Sequence, residues 1–376
     1  MLTEPLLDSE RQEKAKEYAR TMRRLTFVEW SVIGVVLLVL VFGGLSLLLR
    51  RILPFPQPWA SALYFVILVV GLGIILMPLS YYAGFNLPHR YGLSHEALKG
   101  WLADRAKAGA ISLVLGLVVV IVVYGLLDYL PATWWLWTGI LLLLLSLLLT
   151  RLTPTLLISL FFKLEPLGNE ELKKKLTDLA ERARTRVCGV FTMNLSSKST
   201  TANAMLAGLG KTRRIILSDT LLQSYSPDEI EVVLAHELGH HVHRDIPKMI
   251  ALQSVIALLG FYLSDVVLKA SIAPLGFSGA ADAAGLPLLF LFLAVFNLVL
   301  SLLTNAYSRS VEKQADIAAL ELSAKPGAFI SAMSKLADQN LTEYQPSRWV
   351  ELLFYDHPPY NKRVNLAHRY HREAAH

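Results

Sequence analysis

Long apolar runs alternate with polar segments along this chain. One of them, SVIGVVLLVLVFGGLSLLL, carries no charged residue over its 19 positions. A helix needs about 20 predominantly apolar residues to cross a bilayer. The segments that meet this length are 27–49, 60–85, 108–130, 133–162, 247–270 and 284–306. The pattern therefore predicts a mainly α, polytopic membrane protein with about six transmembrane helices.

The predicted spans divide the chain into two regions. Residues 1–162 hold the first four spans, and residues 163–376 hold the last two. In the second region the pair of spans interrupts polar sequence, with about 80 residues before it and a tail that begins near residue 307. Because that tail is too short to build a core of its own, we expect it to pack with the preceding polar segment into one domain, interrupted by a transmembrane hairpin.

The polar segment before the hairpin mixes helical and strand patterns. NEELKKKLTDLAERARTR has helical spacing, RRIILSDTLL contains a β-type run, and ANAMLAGLG could form a second strand. SPDEIEVVLAHELGHHVHRD opens with Ser226 as N-cap, Pro227 at the first helical position and Glu229 completing a capping box. Pro247 is expected to end this helix at the mouth of the fifth span. The segment is therefore predicted to form a small α+β domain.

The distribution of basic residues predicts the orientation in the membrane. Lysines and arginines cluster in the first 26 residues, in the loop after the second span and from Lys163 onward, whereas the opposite loops carry few. The positive-inside rule then places both termini and the α+β domain in the cytoplasm. The same bias explains the net charge of +6, so anionic lipids are the expected partners and nucleic acid is not. The single cysteine, Cys188, excludes an internal disulfide and a multi-cysteine metal site.

Four of the ten histidines lie in HELGHHVHRD, residues 236–245. His236 and His240 are four apart, so they share one face of a helix and can bind one metal ion, while Glu237 can reach a water molecule beside it. This HExxH arrangement predicts a zinc metallopeptidase. The alternative, polar residues on a solvated helix face, fits poorly because the surrounding helix is apolar. Gly239 in the middle of that helix predicts close packing against another element.

A catalytic zinc ion takes three protein ligands, and a candidate third ligand follows the sixth span. NAYSRSVEKQADIAAL places Glu312 and Asp316 four residues apart on a predicted helix. Because the hairpin returns this helix to the level of the HExxH helix, Glu312 is expected to be the third ligand. Asp316 is expected to accept the N–H of a liganding histidine. On spacing alone, an ordinary exposed acidic pair remains an alternative.

These motifs resemble those of the type I CAAX prenyl endopeptidase family, which are integral-membrane zinc metallopeptidases with HExxH followed by ExxxD. The likeness includes YYAGFNLPHRYGLSHEALKGWLADRAKA after the second span, TANAMLAGLGKTRRIILSDTLL before the HExxH helix, and HPPYNKR at 357–363. Together these stretches cover most of residues 80–365 in the family's order. The resemblance implies a zincin-like cytoplasmic catalytic domain that holds one Zn²⁺ per chain, with Glu237 as the general base.

The resemblance also implies a role for residues outside the metal site. Asn203 and Ala204 would lie on an edge strand that pairs with extended substrate backbone. His357 would donate a hydrogen bond to the oxyanion of the tetrahedral intermediate. Arg363 would support the substrate or the acids of the zinc site.

The substrate remains open among several classes. The family resemblance implies a prenylated CAAX peptide, but the loop at 271–283 is short and only six spans are counted, so other membrane-associated peptides are an alternative substrate. A heat-shock-type quality-control metalloprotease would use the same site. A non-catalytic metal-binding or transport protein is a third reading, although a transporter should carry ionisable residues at mid-membrane and these spans carry few.

Overall fold

Six helices are long and apolar enough to cross a membrane, in a computed structural model that describes residues 7–53, 55–208 and 210–374. The spanning helices are α1 (Ser9–Phe42), α3 (Trp59–Tyr81), α5 (Leu98–Tyr129), α6 (Trp134–Leu152), α11 (Asp245–Leu275) and α12 (Leu286–Ser323). Short helices α2 (Leu45–Ile52), α4 (Leu87–Arg90) and α7 (Ile158–Phe161) accompany them. The predicted polytopic helical fold is confirmed. Each spanning helix overlaps its predicted range, and α1, α5 and α12 extend well beyond theirs.

Large apolar side chains cover the outside of these helices. Ile74 is 70% exposed, Leu303 is 68% exposed and Val255 is 63% exposed. Exposed apolar surface on this scale marks contact with lipid. Within the fourth predicted span, which is longer than a bilayer requires, the π-helical segment Thr153–Leu157 joins α6 to α7. The predicted overlong span at 133–162 is thus a regular helix followed by an irregular helical extension.

The polar part of the chain combines a small sheet with helices. Its helices are α8 (Glu170–Arg182), α9 (Asp219–Ser224), α10 (Pro227–Val242), α13 (Pro326–Gln339), α14 (Arg348–Phe354) and α15 (Tyr360–Ala374). Its strands are β1 (Leu164–Pro166), β2 (Val190–Met193), β3 (Ala204–Ala207) and β4 (Arg214–Ser218), in the spatial order β1-β2-β4-β3. One buried apolar cluster joins α8, the sheet, α10, α13 and α15. The tail after the hairpin therefore packs with the segment before it.

The sheet is only partly foreseen by the sequence. The β-type run at 214–218 is β4, and the possible second strand is β3, which pairs antiparallel with it. The sequence pattern missed β1 and β2, because strands of three and four residues show too little alternation to be detected. Since β3 lies at the end of the strand order, it is an edge strand within the described residues.

The HExxH motif lies on α10, whose start is as predicted and whose end is not. The Ser226 and Glu229 side chains form the capping box with each other's backbone N–H. The helix ends at Val242, and Arg244, in the left-handed region with φ of 56°, reverses the chain before α11 begins. Pro247 does not end α10. It lies in the first turn of α11, where its missing N–H has no helical partner to lose.

Helices α10 and α12 pack directly against each other at the motif. A Cβ added to Gly239 would lie 3.0 Å from both the Cα and the carbonyl oxygen of Ala315. The structure thus shows the close packing that Gly239 predicted. Because a backbone cannot yield as a flexible side chain does, this glycine fixes the distance between the two helices, and with it the distance from the histidines to Glu312 and Asp316.

Candidate active site

His236, His240 and Glu312 converge at the crossing of α10 and α12. Each offers one ligand atom, and these atoms lie within 4.8 Å of one another. The Nε2 atom of His236 is 3.2 Å from Glu312 Oε2, and that of His240 is 3.4 Å from Glu312 Oε1. The three residues that the sequence predicted as ligands are therefore brought together, although the third is more than 70 positions away along the chain.

The outer nitrogen of each histidine contacts a carboxylate. His236 Nδ1 is 2.9 Å from Asp316 Oδ1, as predicted, and His240 Nδ1 is 3.1 Å from Asp245 Oδ2. An Nδ1–H that donates to a carboxylate leaves the Nε2 lone pair free for a metal. Within the described residues, the buried Glu312 Oε2 has no hydrogen-bond partner. Two imidazole nitrogens and an unsatisfied carboxylate oxygen form a donor set that fits a divalent transition metal.

The electrostatics keep the acids of this site ionised. Burial alone would raise the pKa of Asp316, but the Arg363 guanidinium and His236 lower it below its usual range. Arg363 donates to both Asp316 oxygens, from Nε at 2.9 Å and from Nη2 at 2.5 Å. Burial would likewise raise the pKa of Glu312, and His236 lowers it. Both carboxyls are therefore held in the form that binds cations and accepts hydrogen bonds.

Asp245 is the site residue that sequence reasoning missed. It is 3% exposed, and it reaches His240 only because the left-handed Arg244 turns the chain back at the end of α10. The available signal was an acidic residue directly after the histidine-rich helix turn. The short distance along the chain did not reveal the contact between Asp245 and His240, since the conformation of the turn decides where the Asp245 side chain points.

Replacing Asp245 by alanine is expected to weaken metal binding by about 10- to 100-fold, the usual cost of losing the partner of a liganding histidine. Competition with a chelator of known affinity measures this. Asp245→Asn keeps an oxygen acceptor, so its affinity for metal should lie between those of the wild type and Asp245→Ala. Asp178→Ala, at an exposed position on α8, is the matched control. An affinity for metal unchanged in Asp245→Ala would show that Asp245 does not position His240.

One cavity of about 530 Å³ joins His236 and Glu237 to the other predicted positions. Its lining includes Asn203, Ala204, His236, Glu237, His357 and Arg363. No protein group within the described ranges hydrogen-bonds the Glu237 carboxylate, which leaves it available to a water molecule. The structure therefore gathers the predicted base and the predicted substrate-contacting residues around one space.

His357 lies at the mouth of that cavity. Its Nε2 is 3.2 Å from Glu312 Oε1, and its Nδ1 is 2.8 Å from Asp356 Oδ1. The hydrogen bond with Asp356 raises the pKa of His357, although partial burial opposes this. The side chain is 52% exposed, so it can turn toward a bound peptide. An imidazole beside the cavity is suited to donate a hydrogen bond to a developing oxyanion, and the raised pKa favours its protonated form.

The unpaired edge of β3 borders the same cavity. Asn203 accepts from the Ser218 N–H at 2.9 Å, so its backbone faces β4. Because successive residues of an antiparallel strand face opposite sides, the N–H and C=O of Ala204 point toward the free edge. An extended peptide could add there as a further strand.

A second cavity, of about 350 Å³, lies on the membrane side of the site. Its lining combines the polar Glu237, His240 and Glu312 with the apolar Ile246, Met249, Ile250 and Val311. Glu237 and the metal-site residues thus lie between a space bordered by the edge strand and a smaller one lined by the start of α11 and the C-terminal half of α12. A peptide that crosses the site would place apolar side chains in the second space.

Spanning helices joined to an α+β domain, with two histidines and a glutamate converging beside a free carboxylate, define an integral-membrane metallopeptidase. Residues 166–370 match the family model of peptidase family M48. Residues 3–163 match a second family model, which is described as the CAAX prenyl protease N-terminal region with five membrane helices. This chain belongs to peptidase family M48. Within its N-terminal region, the described residues form four long apolar helices with the short α2 between the first two.

Relatives support this assignment over nearly the whole chain. An uncharacterized metalloprotease of Bacillus subtilis, YhfN, is 27% identical over 94% of this chain and 85% of its own length. The human CAAX prenyl protease 1 homolog is 27% identical over 96% of this chain and 86% of its own. The crystal structure of Ste24p from S. mikatae has the same fold, with a TM-score of 0.84, 24% identity and coverage of 97% and 92% of the two chains. The predicted family, the metalloendopeptidase activity and the multi-pass membrane location are confirmed.

Proposed function

We propose that this chain is a zinc metalloendopeptidase that cleaves prenylated CAAX-type peptides at the cytoplasmic face of its membrane. The observation that carries the proposal is the convergence of three candidate ligands beside the Glu237 carboxylate. One of these ligands, His236, lines the same cavity as Glu237 and Ala204 at the edge of β3. The proposed catalytic domain comprises residues 163–376, interrupted by the hairpin of α11 and α12, and residues 1–162 form its membrane region.

Each side chain of the site has a distinct role in the proposed reaction. When bound to His236, His240 and Glu312, zinc would polarise the scissile carbonyl and acidify the attacking water. Glu237 takes the proton of that water and later delivers it to the leaving amine. His357 donates to the oxyanion. These steps need an extended substrate, which the free edge of β3 holds in line.

The buried acids and Arg363 hold the ligands rather than react. Asp316 and Asp245 fix the two histidines with Nε2 directed at the metal position. Arg363 compensates the buried charge of Asp316, which would otherwise be costly. Holding side chains by hydrogen bonds keeps the ligand geometry in place before the substrate arrives.

Two observations support a membrane-associated substrate. The site lies where α11 and α12 leave the apolar part of the chain, and the membrane-side cavity is lined by Ile246, Met249 and Ile250. Those apolar side chains match the aliphatic residues of a CAAX sequence. The N-terminal region matches that of CAAX prenyl proteases, which favours such a substrate. The cytoplasmic orientation rests on the distribution of basic residues.

Purified protein should cleave a farnesylated CAAX-ending peptide at least about 10-fold faster than its unprenylated twin, a difference of about 1.4 kcal/mol in transition-state binding. We expect about one zinc ion per chain by elemental analysis, loss of cleavage with a chelator and recovery on adding zinc. Equal cleavage of both peptides would point instead to a broader membrane quality-control protease. Well-folded protein that takes up no zinc would contradict the mechanism.

A further inference from the structure

A third cavity, polar and of about 710 Å³, lies between α12, α14 and α15. It shares only Pro358 and Arg363 with the active-site cavity. Its charged lining comprises the cations Arg309, Lys313, Lys362, Arg363, Arg369 and Arg372 and the acids Glu351 and Asp316. Six positive charges against two negative charges leave this cavity with a net charge of +4.

The two acids of this cavity are already engaged. Lys362 Nζ donates to both oxygens of Glu351, at 2.6 and 2.8 Å, and Asp316 is held by Arg363. By contrast, the side chains of Lys313, Arg369 and Arg372 make no hydrogen bond or ion pair with any described part of the chain. The cations around this cavity repel one another, and an anion that enters it relieves that repulsion. The cavity is therefore expected to attract anions.

The position of the cavity identifies it with the membrane surface. Ala306 lines the cavity and lies one turn beyond Leu303, whose exposed apolar side chain marks the end of the lipid-facing surface of α12. At about 1.5 Å per residue, this step is about 5 Å. The polar headgroup zone is of similar depth on each side of a bilayer. The start of the cavity therefore lies at the level of the lipid headgroups.

Helix α14, which contributes Glu351 to the cavity, gives independent support. Trp349 and Leu353 are 73% and 40% exposed and share one face of this helix, four residues apart. The neighbouring Phe354 packs its ring against Phe27 and Trp30 of α1, with centroids 5.5 and 6.3 Å apart. An exposed tryptophan and leucine next to a spanning helix are typical of a segment lying in the interface.

We propose that this cavity binds the phosphate headgroup of an anionic phospholipid, such as phosphatidylglycerol. Arg369 and Arg372 offer planar N–H forks that match phosphate oxygens. The acyl chains extend from the cavity along the lipid-facing surface of α12, next to Trp349 and Leu353. Binding here would tie α15 and α14 to the membrane and hold the cytoplasmic elements against the bundle.

The test compares Arg369→Gln/Arg372→Gln with Lys174→Gln/Arg186→Gln, which removes two exposed cations far from the cavity along the chain. Purified full-length protein in neutral detergent is titrated with phosphatidylglycerol, with phosphatidylcholine or with inorganic phosphate. Retained lipid is counted by native mass spectrometry, and the thermal unfolding midpoint is measured alongside. Without lipid, both variants should unfold at the midpoint of the wild type, which establishes that they are folded.

We expect phosphatidylglycerol, but not phosphatidylcholine, to be retained and to raise the unfolding midpoint of the wild type and of the control. The cavity variant should bind phosphatidylglycerol at least about 10-fold more weakly. Each basic residue near an anionic surface contributes about 5-fold to the affinity, and the variant loses two. Equal binding by the two variants would overturn the site. An equal effect of inorganic phosphate, with no gain from the lipid, would overturn the assignment to a phospholipid.

Discussion

Glu237→Gln is expected to abolish peptide hydrolysis while leaving the bound metal in place. Glutamine keeps the size of the side chain but cannot take a proton from water, and a positioned general base typically accelerates such a step by about 10²- to 10⁴-fold. Glu237 makes no hydrogen bond to protein within the described ranges and lines both cavities of the site. Its loss should therefore disturb the chemistry and not the fold.

The measurement is the single-turnover rate on a CAAX-ending peptide, with zinc content determined on the same sample. Zinc should remain near one per chain, and the unfolding midpoint should match that of the wild type. Glu171→Gln, at an exposed position in the first turn of α8, is the control and should keep full activity. A Glu237→Gln protein that retains more than a tenth of the wild-type rate would exclude Glu237 as the base.

Glu312→Gln is expected to remove both metal and activity. Glu312 is 7% exposed, and its carboxylate oxygens lie 3.2 and 3.4 Å from the Nε2 atoms of His236 and His240, so the carboxylate faces the two histidines. A neutral amide is a poor ligand for zinc and leaves only two protein ligands where a catalytic site needs three. The affinity for metal should fall by more than the factor of about 100 that marks the loss of a supporting residue.

Chelator competition and elemental analysis check this outcome. Glu321→Gln, on the exposed side of the same helix, is the matched control and should bind zinc as the wild type does. The comparison with Glu237→Gln separates two roles, because a base variant retains metal and a ligand variant loses it. If Glu312→Gln retained zinc at wild-type affinity, another residue would have to supply the third ligand.

Some features of this protein were evident along the chain. Six apolar runs of spanning length predicted the membrane helices, because a continuous apolar segment of that length satisfies its backbone polar groups in lipid as an α-helix. The capping box at Ser226 and the i, i+4 histidines predicted α10 and two ligands, since both signals lie within one helix. Local motifs of this kind depend on neighbours a turn away, so the sequence displays them directly.

Other features required contacts between distant segments. The strands β1 and β2 were too short to show a pattern. Pro247 was predicted to end α10, whereas the helix ends at Val242, before the left-handed Arg244. Glu312 could be proposed as a ligand only through the hairpin topology and the family resemblance. Its approach to His236 depends on the absence of a side chain at Gly239, where α10 and α12 touch.

Taken alone, the sequence predicted a chain that crosses the membrane several times and carries a helix with two candidate metal ligands and a candidate base. Those properties follow from apolar length and from helical periodicity. The tertiary fold alone brings Asp245 to His240 and places Ala204 on a strand edge that is free within the described residues. It also gathers around one cavity three cations of α12 and α15 whose side chains have no partner in the described part of the chain. These depend on where separate elements meet, which packing of the whole chain fixes and local pattern does not.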